Sequence, residues 1–306
     1  MKYKVVVFGV KDTSENIVEF IHKNICPVEL VITISREVLN KNQVSGFKGL
    51  SVLTDRHGIP VFEADSYFLT DEKTKKFMEE NEFEIAVSMG WQRLIPKYVL
   101  DKFAYGVYGF HGNCGYLPFG RGRSPLNWSM IQGDTRFNLN LFRYDENADS
   151  PNVFATEMFS ITSHDDIRTA QYKNMICSKS LIRKLLKAYE EKNIVIRTES
   201  KDFDSWYSKR TAADGKIDFK GRTRDIYNLI RGVTAPFPGA FAMCGGEKVT
   251  VWEAHPFDEI IDFSAYAPGE VVDIFDGKLV VRTVDGSLLI DRYECGREIE
   301  EGDILE

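Results

Sequence analysis

Short apolar stretches alternate with amphipathic stretches through the first 160 or so residues of the chain. The first amphipathic stretch begins at Thr13 or Ser14, either of which can cap a helix, and it repeats Ile17, Ile21 and Ile25 at the helical period. Strands are predicted at 4–8, 28–34, 59–62, 84–88, 106–110, 137–144 and 153–161, and further helices at 71–80 and 125–132. This alternation predicts a mostly parallel sheet covered by helices, in which ligands bind at the carboxyl ends of the strands.

The pattern changes near residue 200. A long amphipathic helix marked by Leu181, Leu185 and Tyr189 precedes a polar stretch at 200–220, which we interpret as a linker. A short helix over 226–233 follows and is ended by prolines. Five short strands separated by Gly-Gly and Asp-Gly turns come next, at 240–243, 248–254, 270–275, 278–283 and 287–293. They predict a small β-barrel, and the chain is therefore predicted to form two domains, 1–200 and 201–306.

Composition and charge narrow the function classes. The 306 residues are 43% hydrophobic and 28% charged, which is typical of a folded globular protein. The formal net charge is −7, and because a surface that binds nucleic acid usually carries a basic excess, nucleic acid is disfavoured as a partner. Neither a signal peptide nor an apolar stretch of membrane length is evident. We expect a cytoplasmic protein without membrane attachment.

Cysteine and histidine spacing gives no sign of a metal site or of a disulfide framework. The five cysteines are odd in number and scattered, without a CxxC pair, which favours free thiols in a reducing compartment. Four of the histidines lack a Cys or carboxylate partner at metal-ligand spacing, and these are His22, His57, His164 and His255. We therefore predict no metal.

The densest chemistry lies at 109–128. A strand is predicted to end near His111, a glycine-rich loop with two arginines follows, and a helix begins at Pro125. A lone histidine is more often structural than catalytic. Here Asn113 lies in the same loop, and a second polar segment, 145–149, ends the next strand. An imidazole, a carboxamide and a carboxylate at one sheet edge can transfer protons and stabilise an oxyanion, so we predict an active site at this edge.

At this loop the sequence resembles the folate-dependent formyltransferases. The matching motifs, in order, are Leu117-Pro118, Arg121-Gly122-Arg123 and Pro125-Leu126-Asn127-Trp128. Asp149-Ser150-Pro151 resembles the Asp-x-Gly element of the family, with proline in place of glycine. The family's Asn-x-His motif is altered, because its Asn falls at Gly109. Asn113 is the nearest substitute.

The second half of the chain is similar to enzymes that formylate amino sugars on nucleotides. The segments that carry this likeness are 209–219, 226–231, 235–240 and 247–252. The resemblance implies a Rossmann-like doubly wound sheet, the formyltransferase fold, followed by a small OB-like barrel. It also implies a cytoplasmic enzyme that modifies precursors of lipopolysaccharide or another surface glycan, with a homodimer as a possible assembly.

The resemblance further implies a co-substrate and a set of site residues. The formyl donor is 10-formyltetrahydrofolate, the acceptor is a nucleotide-linked amino-deoxysugar, and no metal takes part. His111, Asp149 and Asn113 are expected to be catalytic, and Arg121, Asn127 and Trp128 to bind the acceptor, with Arg121 first for its diphosphate. The expected folate-binding residues are Gln92, Arg93, Leu94, Ile95, Arg123, Asp145, Glu146, Asn147, Ala148 and Asp149.

These groups suggest a mechanism, and three alternatives stay open. Asp149 is expected to help remove a proton from the acceptor ammonium, His111 to donate to the oxyanion or the leaving nitrogen, and Asn113 to add a neutral donor. One alternative acceptor is methionyl-tRNA, which the charge of −7 disfavours. Another is a small amine as in the glycinamide-type branch, which resembles only the first half of the chain. The last is a catalytically silenced binding protein, which Gly109 and Pro151 favour.

Overall fold

The computed structural model describes residues 4–42, 49–147, 149, 152–198 and 204–306. A short 3-10 helix also lies at Ala212–Gly215. The helices are α1 (Asp12–Asn24), α2 (Arg36–Asn42), α3 (Val52–His57), α4 (Glu72–Glu80), α5 (Lys97–Leu100), α6 (Pro125–Ile131), α7 (Ile167–Glu190) and α8 (Thr223–Val233). The strands are β1 (Val5–Phe8), β2 (Val28–Ile34), β3 (Val61–Ala64), β4 (Ile85–Ser88), β5 (Val107–Asn113), β6 (Arg121–Gly122), β7 (Arg136–Arg143), β8 (Asn152–Ser160), β9 (Arg197–Thr198), β10 (Trp206–Tyr207), β11 (Ala240–Cys244), β12 (Glu247–Asp258), β13 (Val271–Phe275), β14 (Lys278–Arg282) and β15 (Ser287–Glu294).

The predicted, mostly parallel sheet is confirmed. Its strand order is β3-β2-β1-β4-β5-β7-β8-β9, and the pairs from β3 to β5 are all parallel. The apolar runs form strands because both faces of the central strands are covered: every residue of β1 and β4 is buried. Strand β7 then runs antiparallel to β5 and extends the sheet beyond it.

Two local predictions at this sheet need correction. Strand β5 continues past the predicted end at residue 110 as far as Asn113, because it keeps pairing with β7 through His111↔Asn140 and Asn113↔Asn138. Helix α1 begins at Asp12, with Lys11 rather than Thr13 or Ser14 at its N-cap. The Ser14 hydroxyl is buried instead, where it accepts from two backbone N–H groups and donates to the Met89 carbonyl at 2.6 Å.

The predicted second group of strands forms a five-stranded antiparallel sheet in the order β11-β12-β15-β14-β13. Helix α8 packs its apolar stripe, which includes Ile226 and Ile230, into the core of this sheet. The chain end lies along both edge strands: Met243 and Glu306 exchange backbone hydrogen bonds, and Leu305 N–H donates to the Gly269 carbonyl just before β13. The OB-like classification stays a prediction.

The chain forms two compact units, each built from three segments. The first unit consists of Met1–Arg121, Asn138–Met158 and Asn174–Ser205, and it contains most of the mainly parallel sheet. The second consists of Gly122–Phe137, Phe159–Lys173 and Trp206–Glu306, and it contains the five-stranded sheet. The domain division near residue 200 stays a prediction. Over the described ranges, every helix is too short or too polar to cross a membrane.

Candidate active site

Strand β5 positions the predicted histidine. It pairs with β4 through Ser88↔Gly109 and with β7 through His111↔Asn140. The His111 side chain is 6% exposed. Because side chains alternate along a strand, Gly109, His111 and Asn113 face the same side of the sheet.

Both ring nitrogens of His111 face hydrogen-bond acceptors. Nε2 lies 2.6 Å from the Gly120 carbonyl oxygen, and Nδ1 lies 3.3 Å from Oδ1 of Asp149. Because a carbonyl oxygen can only accept, Nε2 carries a proton and donates it to Gly120. A neutral imidazole has only that one N–H, so Nδ1 can bond to Asp149 only when a second proton lies between them. A proton at this position would be available for general acid–base chemistry.

The loop after β7 brings Asp149 to this position. Its φ is 49°, in the left-handed region that aspartate tolerates better than most residues, and its side chain is 20% exposed. Earlier in the loop, Asp145 accepts from the Asn147 N–H at 2.7 Å and from Nδ2 of Asn152 at 3.1 Å. These bonds shape the loop that presents the Asp149 carboxylate.

Asn113 uses both ends of its carboxamide inside the loop that follows β5. The side chain is 0% exposed. Its Nδ2 donates to the Phe119 carbonyl, and its Oδ1 accepts from the Gly115 N–H at 2.6 Å. In this structure Asn113 therefore organises the loop, and Nδ2 donates one hydrogen to the Phe119 carbonyl. Its predicted catalytic role stays a prediction.

A second chain segment holds the carbonyl that faces His111. The Gly120 N–H donates to the Ser205 hydroxyl at 2.8 Å, and the Arg121 N–H donates to the Ser205 carbonyl at 2.9 Å. The Arg121 side chain is 16% exposed and its Nε lies 3.4 Å from Oδ1 of Asp204. A diphosphate that binds Arg121 therefore has to compete with this carboxylate.

The predicted folate-binding segment follows β4. Its first N–H, that of Gln92, donates to the Tyr67 hydroxyl at 3.0 Å. The Arg93 guanidinium lies 4.9 Å from the centre of the Tyr67 ring. Ile95 is buried in the core of the sheet, whereas Leu94 is 55% exposed. The segment is thus anchored at both ends and presents one large apolar side chain to solvent.

A cavity of about 380 Å³ lies between the end of β7 and helix α5. This volume is within the range of small-molecule pockets. Predicted folate residues Asp145 and Glu146 line it, while Ala148 lies outside the described residues. The full lining is Lys97, Leu100, Asp101, Gly106, Val107, Arg143, Tyr144, Asp145, Glu146, Asn152 and Ile196. A larger cavity, about 480 Å³, lies in the five-stranded sheet unit and contains no predicted site residue.

Three predicted binding residues belong to the second unit. Arg123 has an exposed side chain and its N–H donates to the Tyr207 carbonyl at 3.1 Å. Asn127 is buried and donates from Nδ2 to the Gly232 carbonyl at 2.8 Å, which joins α6 to α8. Trp128 stacks on the Tyr207 ring with the centroids 5.8 Å apart. Binding of substrate by these residues stays a prediction.

Comparison with known protein families identifies the family of this chain. The family model described as "Formyl transferase" matches residues 1–184, and that described as "Formyl transferase, C-terminal domain" matches residues 209–304. The chain is a member of the formyl transferase family. The resemblance inferred from the motifs around His111 is thereby confirmed.

Solved structures with the same fold come from several branches. HypX from Aquifex aeolicus matches with 17% identity and a TM-score of 0.65 over 100% of this chain, which spans 48% of the length of HypX. WlaRD, a sugar 3N-formyl transferase crystallised with dTDP and 5-N-formyl-THF, matches at 17% identity with a TM-score of 0.69, over 98% of this chain and 100% of WlaRD. An N-formyltransferase from Helicobacter canadensis in complex with folinic acid and dTDP-3-aminofucose matches at 17% identity and TM-score 0.69, over 94% and 98% of the two chains. These similarities confirm the predicted fold.

One residue of this formyl transferase that the sequence did not single out lies directly at the site. Tyr144 follows β7, and a Cβ built on Gly109 would lie 2.0 Å from its hydroxyl oxygen. Burial raises the pKa of Tyr144 to about 12, with a further contribution from the charge of Asp149, while the nearby Ser88 side chain opposes the rise. The sequence signal was Gly109, a position without a side chain on the active face of the strand.

Among the residues that the structure describes, no three or more His, Cys, Asp or Glu side chains form a group that could hold a metal ion.

Proposed function

We propose that this chain transfers a formyl group from 10-formyltetrahydrofolate to the primary amine of a nucleotide-linked amino-deoxysugar, a precursor of a surface glycan such as lipopolysaccharide. The observation that carries the proposal is the contact of buried His111 with Asp149, 3.3 Å from Nδ1 to Oδ1, while Nε2 lies 2.6 Å from the Gly120 carbonyl oxygen. Formyl transfer to an amine needs one proton removed from the attacking nitrogen and one delivered to the leaving nitrogen. A protonated histidine next to a carboxylate can do both.

The proton balance follows from the pair. The amine nitrogen forms a bond to the formyl carbon, and its surplus proton passes to Asp149. The bond between the formyl carbon and the folate nitrogen then breaks, and that nitrogen takes the proton held by His111. The proton received by Asp149 restores the pair, so the number of protons is unchanged after one turnover. Neighbouring hydrogen-bond donors stabilise the negative charge that forms on the formyl oxygen in between.

The first unit provides a site of the right size for the folate. The cavity of about 380 Å³ includes Asp145 and Glu146, and α5 on its other side directly follows the Gln92–Ile95 segment. We propose that this segment and the cavity hold the pterin ring, where exposed Leu94 supplies apolar contact.

The acceptor class rests on the relatives and on charge. WlaRD and the Helicobacter canadensis enzyme were crystallised with dTDP or a dTDP-sugar, which supports a nucleotide sugar here. The net charge of −7 disfavours a tRNA acceptor, because phosphate binding on that scale needs many basic contacts. Arg121 is the basic residue that we propose for the diphosphate.

A second candidate function is a silenced relative that binds folate or nucleotide sugar without turnover. Specific observations favour it: Gly109 supplies no side chain to the site, and the amide of Asn113 is directed to the Phe119 carbonyl. This candidate predicts ligand binding with no formylated product.

The proposal is tested with the purified full chain, 10-formyltetrahydrofolate and a panel of amines, with the formylated product identified by mass spectrometry. The panel contains nucleotide-linked amino sugars with the amine at different ring positions, a glycinamide-type amine and initiator methionyl-tRNA. We expect product only with nucleotide amino sugars. Comparable or faster formylation of methionyl-tRNA contradicts the acceptor, and folate binding without product from any amine supports the silenced relative.

Two histidine variants test whether formyl transfer depends on the proposed site. His111→Ala is expected to abolish measurable transfer, because the leaving folate nitrogen loses its proton donor. His255→Ala is the matched control, since it removes another His–Asp contact, 2.7 Å from Nδ1 to Asp291, in the five-stranded sheet. Transfer that survives in His111→Ala at the rate of the control would overturn the assignment of the site.

A further inference from the structure

On the face of β5 that carries His111, Gly109 leaves a space that another side chain fills. Gly109 and His111 lie two residues apart on the same face of β5. A Cβ at Gly109 would lie 2.0 Å from the Tyr144 hydroxyl oxygen, 2.2 Å from Cζ and 2.3 Å from Cε1. The tip of Tyr144 therefore occupies the volume that a side chain at position 109 would take.

The backbone explains how Tyr144 reaches this volume. Its N–H donates to the Val107 carbonyl at 2.8 Å, which continues the β5–β7 pairing by one residue. Phe142, two residues earlier, pairs directly with Gly109. Side chains at 142 and 144 lie on the same face, so the Tyr144 ring extends along β5 toward Gly109 and His111.

The surroundings keep this hydroxyl protonated and near the reacting groups. Burial raises the pKa of Tyr144 to about 12, and the Asp149 carboxylate contributes to the rise. The same carboxylate lies 3.3 Å from Nδ1 of His111. At neutral pH the phenol is therefore an O–H donor within the electrostatic reach of the proton-transfer pair.

Two other side chains on this face donate to backbone carbonyls. His111 donates from Nε2 to Gly120 at 2.6 Å, and Asn113 donates from Nδ2 to Phe119. A tetrahedral oxyanion is stabilised by a fixed, preorganised donor. Tyr144 also lines the cavity of about 380 Å³ that we assign to the folate.

We propose that the Tyr144 hydroxyl is the donor to the formyl oxygen in this enzyme, in the volume that Gly109 leaves open. As the amine nitrogen bonds to the formyl carbon, the carbonyl π electrons move to oxygen, and Tyr144 donates a hydrogen bond to that oxygen without giving up its proton. When the bond to the folate nitrogen breaks, the electrons return and the hydrogen bond weakens. The proposal rests on the proposed function, and it identifies Tyr144 as a catalytic residue.

Tyr144→Phe tests the proposal because it removes only the hydroxyl. We expect kcat to fall by about 10²-fold or more, the usual effect of losing one oxyanion donor. We expect KM for both substrates, and the Kd of 5-formyltetrahydrofolate measured by calorimetry, to change by less than about threefold, because the ring remains in place. Tyr108→Phe is the control: Tyr108 is 1% exposed on the adjacent β5 position, and its side chain faces the opposite side of the sheet.

The outcomes separate this proposal from the proposed function. Wild-type transfer with Tyr144→Phe as fast as Tyr108→Phe overturns the role of Tyr144 and leaves the function intact. Loss of folate binding together with turnover also overturns it, since Tyr144 would then be a packing residue. No transfer by the wild-type protein with any amine overturns both.

A second pair of variants moves the hydrogen-bond donor to another residue. It also controls for a folding defect in Tyr144→Phe. Tyr144→Ala removes ring and hydroxyl together, and Gly109→Asn in that background places a carboxamide donor directly on β5 in the vacated space. We expect the double variant to recover at least about tenfold in kcat over Tyr144→Ala, since a donor is restored near the same point. No recovery in a double variant that folds and binds 5-formyltetrahydrofolate contradicts the proposed position of the donor.

Discussion

Two His–Asp contacts in this protein have the same chemistry and different surroundings. In the mainly parallel sheet, Nδ1 of His111 lies 3.3 Å from Asp149, and the two side chains are 6% and 20% exposed. In the five-stranded sheet, Nδ1 of His255 lies 2.7 Å from Asp291, and those side chains are 52% and 21% exposed. By distance alone, the contact between His255 and Asp291 is the closer hydrogen-bonding contact.

The difference lies in the neighbours of each pair. The other nitrogen of His111 is fixed by the Gly120 carbonyl, so its ring has one orientation and its protons have defined positions. Asp291 instead shares its carboxylate with Lys278 at 2.9 Å, so its charge is compensated without the histidine. An exposed pair of this kind is also weakened by solvent and salt.

The comparison shows that a His–Asp contact becomes a candidate catalytic pair through its second partner and its burial. His111 has both, so a proton shared with Asp149 would have a defined position. A shared proton at Nδ1 of His111 is the central claim about the site, and variants of both pairs test how far it distinguishes them.

The largest expected effect is that of Asp149→Asn on formyl transfer. A carboxamide keeps the size of the side chain and cannot accept the proton of the amine, so we expect kcat/KM to fall by about 10²- to 10⁴-fold, the usual contribution of general acid–base catalysis. Asp291→Asn is expected to change kcat/KM by less than about twofold. Steady-state kinetics on both variants measure this contrast, and similar losses in the two would remove the distinction between the pairs.

A side chain at Gly109 is expected to lower the free energy of unfolding. In Gly109→Ala the new Cβ would lie 2.0 Å from the Tyr144 hydroxyl oxygen, and such overpacking costs about 1–3 kcal/mol. Urea unfolding measures the loss. The loss should shrink when Tyr144→Ala is also present, because the clashing atoms are gone; strictly additive losses would mean that Tyr144 does not fill this space.

Asn113→Ala is expected to destabilise the loop beside the site. The change leaves the partly buried Phe119 carbonyl and Gly115 N–H without the partner they have now, at a cost of about 1–3 kcal/mol in the free energy of unfolding. Asn193→Ala at an exposed position is the control, with an expected change within about 0.5 kcal/mol. A variant with unchanged stability and lost turnover would instead support the catalytic role predicted for Asn113 from the sequence.

The smallest expected effect concerns a third His–carboxylate contact, His57 with Glu19. Hydrogen bonds from His57, Arg56 and Lys23 lower the pKa of Glu19 from 4.5 to about 2. A lowered pKa in the folded state stabilises the protein above pH 4.5, and this contribution is lost as the pH falls from about 4.5 toward about 2. We expect Glu19→Gln to lose less stability over that range than the wild type, by acid titration of unfolding. Parallel acid curves would contradict the role of this contact.

The sequence predicted the fold further than it predicted the site. Apolar runs such as Val28–Ile34 are strands with the predicted bounds, because a short apolar run that is buried on both faces forms a central strand of the sheet. The end of β5 was missed, since its extension to Asn113 depends on pairing with β7, a partner distant in sequence. The motifs brought attention to His111 and Asp149, and the structure places the two in contact.

The sequence could not predict those side-chain positions at the site that depend on neighbouring strands. The amide of Asn113 could equally have faced the site, and only the path of the loop through Phe119 directs it elsewhere. Tyr144 was simply the last residue of an apolar run, and its place over Gly109 follows from the register of β7 on β5. Local propensity carries no information on either contact.

The protonation of His111 tests the central claim most directly. Nitrogen NMR of the full chain with labelled histidine, assigned through His111→Gln, reports which ring nitrogens carry protons near neutral pH. We predict a proton on Nε2 of His111, held by the Gly120 carbonyl, and a shared proton at Nδ1 that is lost in Asp149→Asn. A neutral His111 protonated at Nδ1 alone, unchanged by Asp149→Asn, would contradict the claim.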